Sequence, residues 1–152
     1  MSERGAFPIN IRNATASDLD AVIRLDMDTT GTEKRAYWQE AFARHVAPPY
    51  NGRLFLIAEK DGVAVGFIVA ETRAWEFGSP PCGWVFALNV ATELREHGIA
   101  SVLFNQLCAR LRLAGVDTLR TMVAITNKVN LSFFRSMGMT SGPYIELEKR
   151  LE

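Results

Sequence analysis

Cysteine and histidine are scarce in this sequence, and their spacing excludes the common metal and redox motifs. Cys82 and Cys108 are the only cysteines, too few for a disulfide scaffold, and neither belongs to a CxxC pair. His45 and His97 are the only histidines, and no HExxH motif contains either of them. We therefore expect a reduced, intracellular protein without a metal site.

An excess of either charge and a long apolar run are also missing. The 17 basic and 17 acidic side chains give a formal net charge of zero, so no global field would attract DNA or RNA. A charge near zero mildly favours self-association, which is compatible with a homodimer without establishing one. No apolar run approaches the ~20 residues of a membrane helix, and residues 1–15 lack the apolar core of a signal peptide. We expect a cytoplasmic protein that neither spans a membrane nor binds nucleic acid.

What the sequence does contain is the composition of an ordinary globular protein. Hydrophobic residues make up 48% of it and charged residues 22%, close to the average for soluble proteins. A chain of this length buries roughly 68–70% of its unfolded surface in one core. We interpret residues 1–152 as a single domain.

Hydrophobic periodicity predicts alternating strands and helices. Asp61-Gly62 is the clearest local signal, because this pair supplies the positive φ angles of a tight hairpin turn. The predicted elements are a strand at 9–11, helices at 19–30 and 32–46 with Pro48 and Pro49 ending the second, hairpin strands at 54–59 and 63–70, a strand at 84–90, a helix with its apolar face over 99–114, a strand at 119–125, a helix at 127–137 and a strand at 145–147. A hairpin followed by a strand–helix–strand crossover indicates an α/β (α+β) fold with a mixed sheet.

The most informative segment joins the apolar strand at 84–90 to the helix that follows it. A strand that runs through a short loop into a helix leaves backbone N–H groups unpaired beside the positive end of the helix dipole, a geometry that binds phosphate. In the sequence Arg95-x-x-Gly98-x-Ala100, Gly98 would let a pyrophosphate approach the backbone. The alternative is an ordinary helix start in which Gly98 fills a cramped position. Other phosphate motifs are excluded, since Trp84 stands where a P-loop needs lysine and no GxGxxG is present.

Together with the segment 127–139, these features resemble the GNAT superfamily of acyl-CoA-dependent N-acetyltransferases. The family's phosphate loop, R/Q-x-x-G-x-G/A, is matched by Arg95, Gly98 and Ala100. Its later helix, NxxAxxFYxxxGF, is matched by Asn127, Phe133 and Gly138. The chain departs from this pattern at Asn130, where Ala is common, at Met139, where Phe is usual, and at Phe134, which replaces a tyrosine that often acts as general acid.

The resemblance implies a splayed mixed sheet flanked by helices on both faces, with acetyl-CoA in the gap where the strand 84–90 diverges from the strand 119–125. It assigns the pyrophosphate to the backbone amides of Arg95, Glu96, His97, Gly98, Ile99 and Ala100. It assigns the pantetheine arm to the strand edge formed by Leu88, Asn89 and Val90. Asn127 would form a hydrogen bond with the cofactor, and Asn130 and Phe134 would line the thioester end.

The reaction expected from this resemblance is direct attack of a primary amine, on a small molecule or a peptide N-terminus, on the thioester in a ternary complex. A backbone N–H of Leu88 or Val90 would stabilise the oxyanion. The strand 84–90 contains no carboxylate, so Glu71 and, after it, Glu76 are the nearest candidate bases, while Tyr144 is the first candidate acid.

Two questions remain open in the sequence. Phe134 and the missing carboxylate also fit a module that binds acyl-CoA but has lost catalysis. A group of aromatic residues suits either an acceptor pocket or a core; these are Tyr37, Trp38, Trp75, Phe77 and Trp84.

Overall fold

A computed structural model describes residues 8–46 and 52–152, which fall into two compact units. The first unit extends to Met122 and the second runs from Val123 to Glu152. The first unit contains β1 (Ile9–Asn13), α1 (Leu19–Thr30), α2 (Arg35–His45), β2 (Arg53–Lys60), β3 (Val63–Arg73), β4 (Cys82–Val90), α3 (Ile99–Leu113) and β5 (Leu119–Thr121). The second unit contains α4 (Lys128–Ser136).

The five strands form one mixed sheet in the order β1-β2-β3-β4-β5. Neighbours from β1 to β4 are antiparallel, whereas β4 and β5 are parallel. The parallel pair is joined by α3, as a parallel connection requires a crossover. The predicted α+β class with a mixed sheet is confirmed.

Adjacent residues of β3 show that helices cover both faces of the sheet. Side chains alternate along a strand, so Gly66 and Phe67 face opposite sides. The Phe67 ring packs edge-on against Trp38 of α2, with 5.2 Å between ring centroids. On the other side, a Cβ placed on Gly66 would come within 3.3 Å of Leu103 in α3. The helices α2 and α3 therefore enclose the central strands from opposite faces.

The hairpin between β2 and β3 has the predicted turn. Asp61 and Gly62 adopt φ angles of 51° and 78°, and Lys60 pairs with Val63 across them. The second arm extends to Arg73, beyond the predicted end at residue 70.

Two predicted boundaries and one predicted strand are wrong. The helix expected from Thr32 begins at Arg35, because Gly31 ends α1 in the left-handed region at φ 76° and residues are then needed to reverse the chain. The strand expected over 119–125 ends at Thr121, and residues 145–147 form no strand. Ile145 and Leu147 are 84% and 85% exposed, so their alternation lacks the buried face and partner that stabilise a strand. The stop predicted at Pro48 and Pro49 lies outside the described residues.

Within residues 8–46 and 52–152, no helix combines the length and apolar character needed to cross a bilayer.

Candidate active site

The parallel pairing between β4 and β5 is short. Their pairing runs from Gly83 with Leu119 to Val85 with Thr121, and the Thr121 hydroxyl donates to the Val85 carbonyl at 2.8 Å. Strand β4 then continues for five residues to Val90, whereas β5 has ended. In the part of the chain that the structure describes, no strand pairs with this edge of β4 beyond Val85.

A β-bulge in β4 determines which backbone groups face the open edge. Val85 pairs with Ala70 and Ala87 with Val69, so Phe86 is the extra residue. An extra residue reverses the alternation of backbone groups on the strand. The N–H of Ala91 points toward β3, since it donates to the Val65 carbonyl at 2.8 Å. Backbone groups of successive residues in a strand point to opposite edges. The backbone groups of Leu88 and Val90 therefore point away from β3, toward the open edge.

Asn89 lies between these two residues and is used differently. Its backbone belongs to the ladder with Phe67 of β3. Its side-chain oxygen accepts a hydrogen bond from the Thr29 hydroxyl of α1 at 2.8 Å. The same hydroxyl accepts from the Arg95 guanidinium at 2.7 Å. Thr29 therefore links β4 to the segment that precedes α3.

The start of α3 presents unpaired backbone donors. Residues 92–97 form a 3₁₀ turn, Gly98 adopts φ 76°, and no side chain caps the helix. The first N–H groups of a helix, here those of Ile99, Ala100 and Ser101, have no acceptor within the helix. A Cβ placed on Gly98 would meet no atom within 4 Å. The cramped-position alternative is therefore wrong: Gly98 serves the left-handed backbone, and the space above it is open.

A second group of polar side chains lies where β3 passes the bulge. Glu71 of β3 pairs with Trp84 of β4, and its Oε1 accepts from the Arg73 Nε at 3.1 Å. Its Oε2 lies 3.7 Å from Nε2 of His45, whose side chain is 3% exposed. The ring centroids of His45 and the bulge residue Phe86 are 5.3 Å apart.

Sequence reasoning considered His45 only as a metal ligand and missed this contact. Burial lowers the pKa of His45, which keeps its ring neutral at pH 7. Nothing in the helical pattern of residues 35–45 distinguishes it from a core histidine, because its partner comes from a distant strand.

The aromatic candidates separate into core and surface residues. Trp38 is buried, and its indole N–H donates to the buried carboxylate of Asp26 at 3.0 Å. Trp75 and Phe77 are exposed and adopt φ angles of 64° and 49°, a strained region for side chains of this size. Tyr37 is 46% exposed. The Arg73 guanidinium lies 5.0 Å from the half-buried ring of Trp84.

In the second unit, Asn127 acts as the N-cap of α4. Its side-chain oxygen accepts from the backbone N–H of Asn130 at 3.1 Å. Phe134 is buried and packs edge-on against Phe133 with 5.3 Å between centroids. Tyr144 is 56% exposed in irregular backbone. The described residues contain no group of three or more His, Cys, Asp or Glu side chains placed to hold a metal ion.

Comparison with known proteins adds independent findings. Residues 19–139 match the family model described as Acetyltransferase (GNAT) family. No curated protein matches the sequence. Among solved structures, aminoglycoside 6'-N-acetyltransferase AAC(6')-Ih from Acinetobacter baumannii is 19% identical, with a TM-score of 0.78 over 95% of this chain and 99% of that one. AAC(6')-Iy, in complex with the bisubstrate analog CoA-S-monomethyl-acetylneamine, is 19% identical, with a TM-score of 0.79 over 94% and 99%. A transcriptional regulator from Bacillus halodurans C-125 is 17% identical, with a TM-score of 0.78 over 94% and 99%.

Proposed function

The chain belongs to the GNAT acetyltransferase family, and on that premise we propose that it transfers an acetyl group from acetyl-CoA to a primary amine by direct attack in a ternary complex. The observation that carries the proposal is the open edge of β4 beside the uncapped start of α3. The expected acceptor is a small molecule or a peptide N-terminus. Two of the similar structures are aminoglycoside N-acetyltransferases, so aminoglycosides are the first acceptors to test.

The residues present fit the two ends of acetyl-CoA. The N–H groups of Ile99, Ala100 and Ser101, together with the dipole of the 15-residue helix α3, would hold the pyrophosphate. The amide-rich pantetheine arm would pair with the backbone of Leu88 and Val90 as an added strand does. Acetyl-CoA supplies an activated acyl group, which needs no covalent enzyme intermediate.

Arg95, Glu96 and His97 are proposed to contribute backbone groups to the same loop. Their side chains are exposed, and Arg95 is held by Thr29. We assign Arg95 to fixing the loop, since its guanidinium already has a partner. Asn89 is proposed to support the cradle through Thr29, since its own backbone is paired with β3.

The chemistry requires a donor for the oxyanion and a base for the amine. A backbone N–H of Leu88 or Val90 at the open edge suits the first task, because such donors cost no reorganisation. Deprotonation at pH 7 costs about 4.6 kcal/mol for a lysine-like amine of pKa 10.4 and about 1 kcal/mol for an α-amine. Glu71, at the bulge, is the proposed base.

The remaining groups are proposed from the sequence and the family pattern alone. Asn127 has its side-chain oxygen committed to the cap of α4, so its amide nitrogen is the proposed donor to the cofactor. Asn130 and Phe134 are proposed at the thioester end, and Tyr144 as the proton donor to the sulfur. A thiol with pKa near 8.5 leaves at a cost of roughly 2 kcal/mol at pH 7, so the acid is helpful but not indispensable.

The test is acetyl-CoA-dependent thiol release across aminoglycosides, polyamines, amino acids and peptides. Each amine is paired with its N,N-dimethyl analogue, which keeps the positive charge but, once neutral, has no N–H to lose and cannot form the amide. We expect release with at least one primary amine and none with its dimethyl partner. Failure to bind acetyl-CoA at millimolar concentration would overturn the proposal.

The second candidate function is an acyl-CoA-binding module without turnover. It is favoured by Phe134 and by the absence of a carboxylate between Cys82 and Val90. One of the proteins with a similar fold is described as a transcriptional regulator rather than as an acetyltransferase. Binding of acetyl-CoA without thiol release from any amine would select this candidate.

A further inference from the structure

His45 and Glu71 form a contact that the family motifs do not include. The His45 side chain is 3% exposed, and its Nε2 lies 3.7 Å from Oε2 of Glu71. Among residues 8–46 and 52–152, no hydrogen-bond partner is within reach of this Nε2. Burying a polar atom without a hydrogen-bond partner destabilises the fold, so the arrangement calls for a physical reason.

The other ring nitrogen identifies the tautomer. Nδ1 of His45 lies 3.1 Å from the carbonyl oxygen of Ala41, and because a carbonyl only accepts, Nδ1 carries the hydrogen. Burial is the main cause of the lowered pKa of His45. The hydrogen bond to Ala41 and the charge of Glu71 raise this pKa, whereas Arg53 and Arg44 lower it further. The neutral ring therefore presents the Nε2 lone pair to the carboxylate.

The carboxylate is oriented from its other side. Arg73 donates to Oε1 of Glu71 at 3.1 Å, and the same guanidinium lies 3.7 Å from the carboxylate of Glu76. Oε1 is thus committed to Arg73, and Oε2 is the oxygen that faces the imidazole. Two acceptor atoms, Nε2 of His45 and Oε2 of Glu71, therefore face each other at 3.7 Å.

The position of the pair connects it to the proposed reaction. Glu71 pairs with Trp84 of β4, two residues before the bulge residue Phe86, whose ring contacts His45. The open edge of β4 begins at this bulge. Nε2 itself is buried, so a proton reaches it by way of the half-buried carboxylate.

We propose that His45 is a positioning residue that completes the proton acceptor, so that the His45–Glu71 pair, rather than Glu71 alone, deprotonates the acceptor amine. The inference rests on the proposed function. Oε2 of Glu71 takes a proton from the acceptor ammonium and shares it with Nε2 of His45. The neutral nitrogen forms the new bond to the acetyl carbon, the carbon–sulfur bond breaks with its electron pair on sulfur, and the second nitrogen proton ends on the thiol. The pair then returns its proton to solvent through Glu71.

The advantage of the pair follows from base strength. An imidazole nitrogen is intrinsically a stronger base than a carboxylate oxygen. Burial lowers the pKa of His45, and the charge of the neighbouring Glu71 offsets part of that effect. Sharing the proton with Nε2 therefore gives the pair a greater proton affinity than a carboxylate alone, without placing a permanent charge in the buried site.

The first test measures the pairing without any turnover. The protein has two histidines, so ¹H–¹⁵N spectra resolve both imidazoles, and His97→Asn identifies the signals of His45. We expect His45 to be the Nδ1–H tautomer at pH 7, and to titrate at lower pH in Glu71→Gln because an anionic neighbour is removed. An unchanged His45 titration in Glu71→Gln would overturn the pairing.

The second test is the pH profile of kcat/KM for an acetylated amine. In His45→Asn, the amide can still donate to Ala41 in place of Nδ1, but Nε2 is absent. We expect kcat/KM to fall roughly tenfold to hundredfold and the acid limb to move to lower pH. The alkaline limb belongs to the acceptor amine and serves as an internal reference. Glu40→Gln, which removes an exposed carboxylate from the same helix, should leave both limbs in place.

The outcomes separate the two proposals. A uniform loss in His45→Asn without a shifted limb would assign His45 a packing role and overturn the inference. If no amine is acetylated while the His45 titration still responds to Glu71→Gln, the proposed function fails and the proton transfer fails with it. Should His45→Asn not fold, the wild-type tautomer and the Glu71→Gln titration still decide the pairing.

Discussion

The first unit contains a buried carboxylate, that of Asp18, which is paired with an arginine. Asp18 is 5% exposed and receives two hydrogen bonds from Arg12, at 2.7 and 2.8 Å, and one from the backbone N–H of Thr15 at 2.7 Å. Arg12 also donates to Glu59 of β2 at 2.7 Å. These bonds connect the start of α1 to the sheet.

The Arg12–Asp18 pair predicts a pH-dependent stability. The hydrogen bonds from Arg12 lower the pKa of Asp18 despite its burial. Their contribution is complete above the ordinary aspartate pKa of about 3.9 and is lost as the pH falls through the lower folded value. We expect Arg12→Met to reduce the free energy of unfolding at pH 7 by roughly 2–3 kcal/mol, less than for a fully buried pair because Arg12 is partly exposed.

Urea denaturation at several pH values checks this, and the difference from wild type should shrink below pH 4. Arg35→Met is the matched control, because Arg35 pairs with the exposed carboxylates of Asp20 and Glu33 and its loss should change stability little. Equal losses in the two variants, or a difference independent of pH, would contradict the argument.

A second prediction concerns Phe134 and the proton donor for the departing thiol. If the missing hydroxyl limits expulsion of the thiol, Phe134→Tyr should raise kcat several-fold, since the thiolate costs roughly 2 kcal/mol at pH 7. Phe133→Tyr places the same hydroxyl on the neighbouring ring of α4 and should not raise kcat. Steady-state thiol release measures both, and no gain in Phe134→Tyr would show that the missing hydroxyl is not limiting and leave Tyr144 or water as the proton donor.

At the scale of elements, the bulge in β4 and the start of α3 act together. The bulge turns Leu88 and Val90 toward the open edge, and Gly98 lets the chain enter α3 without a capping side chain. The short strand β5 keeps that edge open by ending at Thr121. A longer β5 would have used the same backbone groups in its own ladder.

Gly98 provides a test of the phosphate site with a control on the same helix. Gly98 precedes α3 and Gly115 follows it. They have φ angles of 76° and 83°, and a Cβ on either would meet open space. Valine at either position pays a left-handed strain of about 1–2 kcal/mol. We expect Gly98→Val to weaken acetyl-CoA at least tenfold by obstructing the pyrophosphate, and Gly115→Val to leave affinity unchanged.

Calorimetric titration with acetyl-CoA measures both affinities, and melting temperatures confirm that the two variants are strained alike. Equal affinities in Gly98→Val and Gly115→Val would remove the phosphate assignment from the start of α3.

The whole molecule has no net charge, so attraction of an anionic cofactor must come from local groups rather than from a global field. Ligand binding to the folded state alone stabilises it by mass action. Acetyl-CoA at 100 times its dissociation constant should therefore add about 2.7 kcal/mol.

This stabilisation predicts a rise in melting temperature of roughly 5–10 °C for a chain of this size. Acetyl-pantetheine, which has the same arm without the nucleotide and its phosphates, should give a smaller rise at equal concentration. Thermal denaturation followed by fluorescence provides the measurement. A larger rise with acetyl-pantetheine than with acetyl-CoA would place the main binding energy away from the α3 start.

The sequence by itself determined the mixed fold, the hairpin turn at Asp61-Gly62, the family and the candidate loop at residues 95–100, because each depends on local backbone preference, short-range periodicity or a short motif. The family is confirmed by the model match, whereas the roles of the individual site residues remain predictions. Only the tertiary structure decided that β5 stops at Thr121, that the extra residue Phe86 aims Leu88 and Val90 at the open edge, and that His45 meets Glu71. Strand register and contacts between distant elements depend on which surfaces pack together, and no local pattern in residues 35–45 or 63–73 encodes that partner.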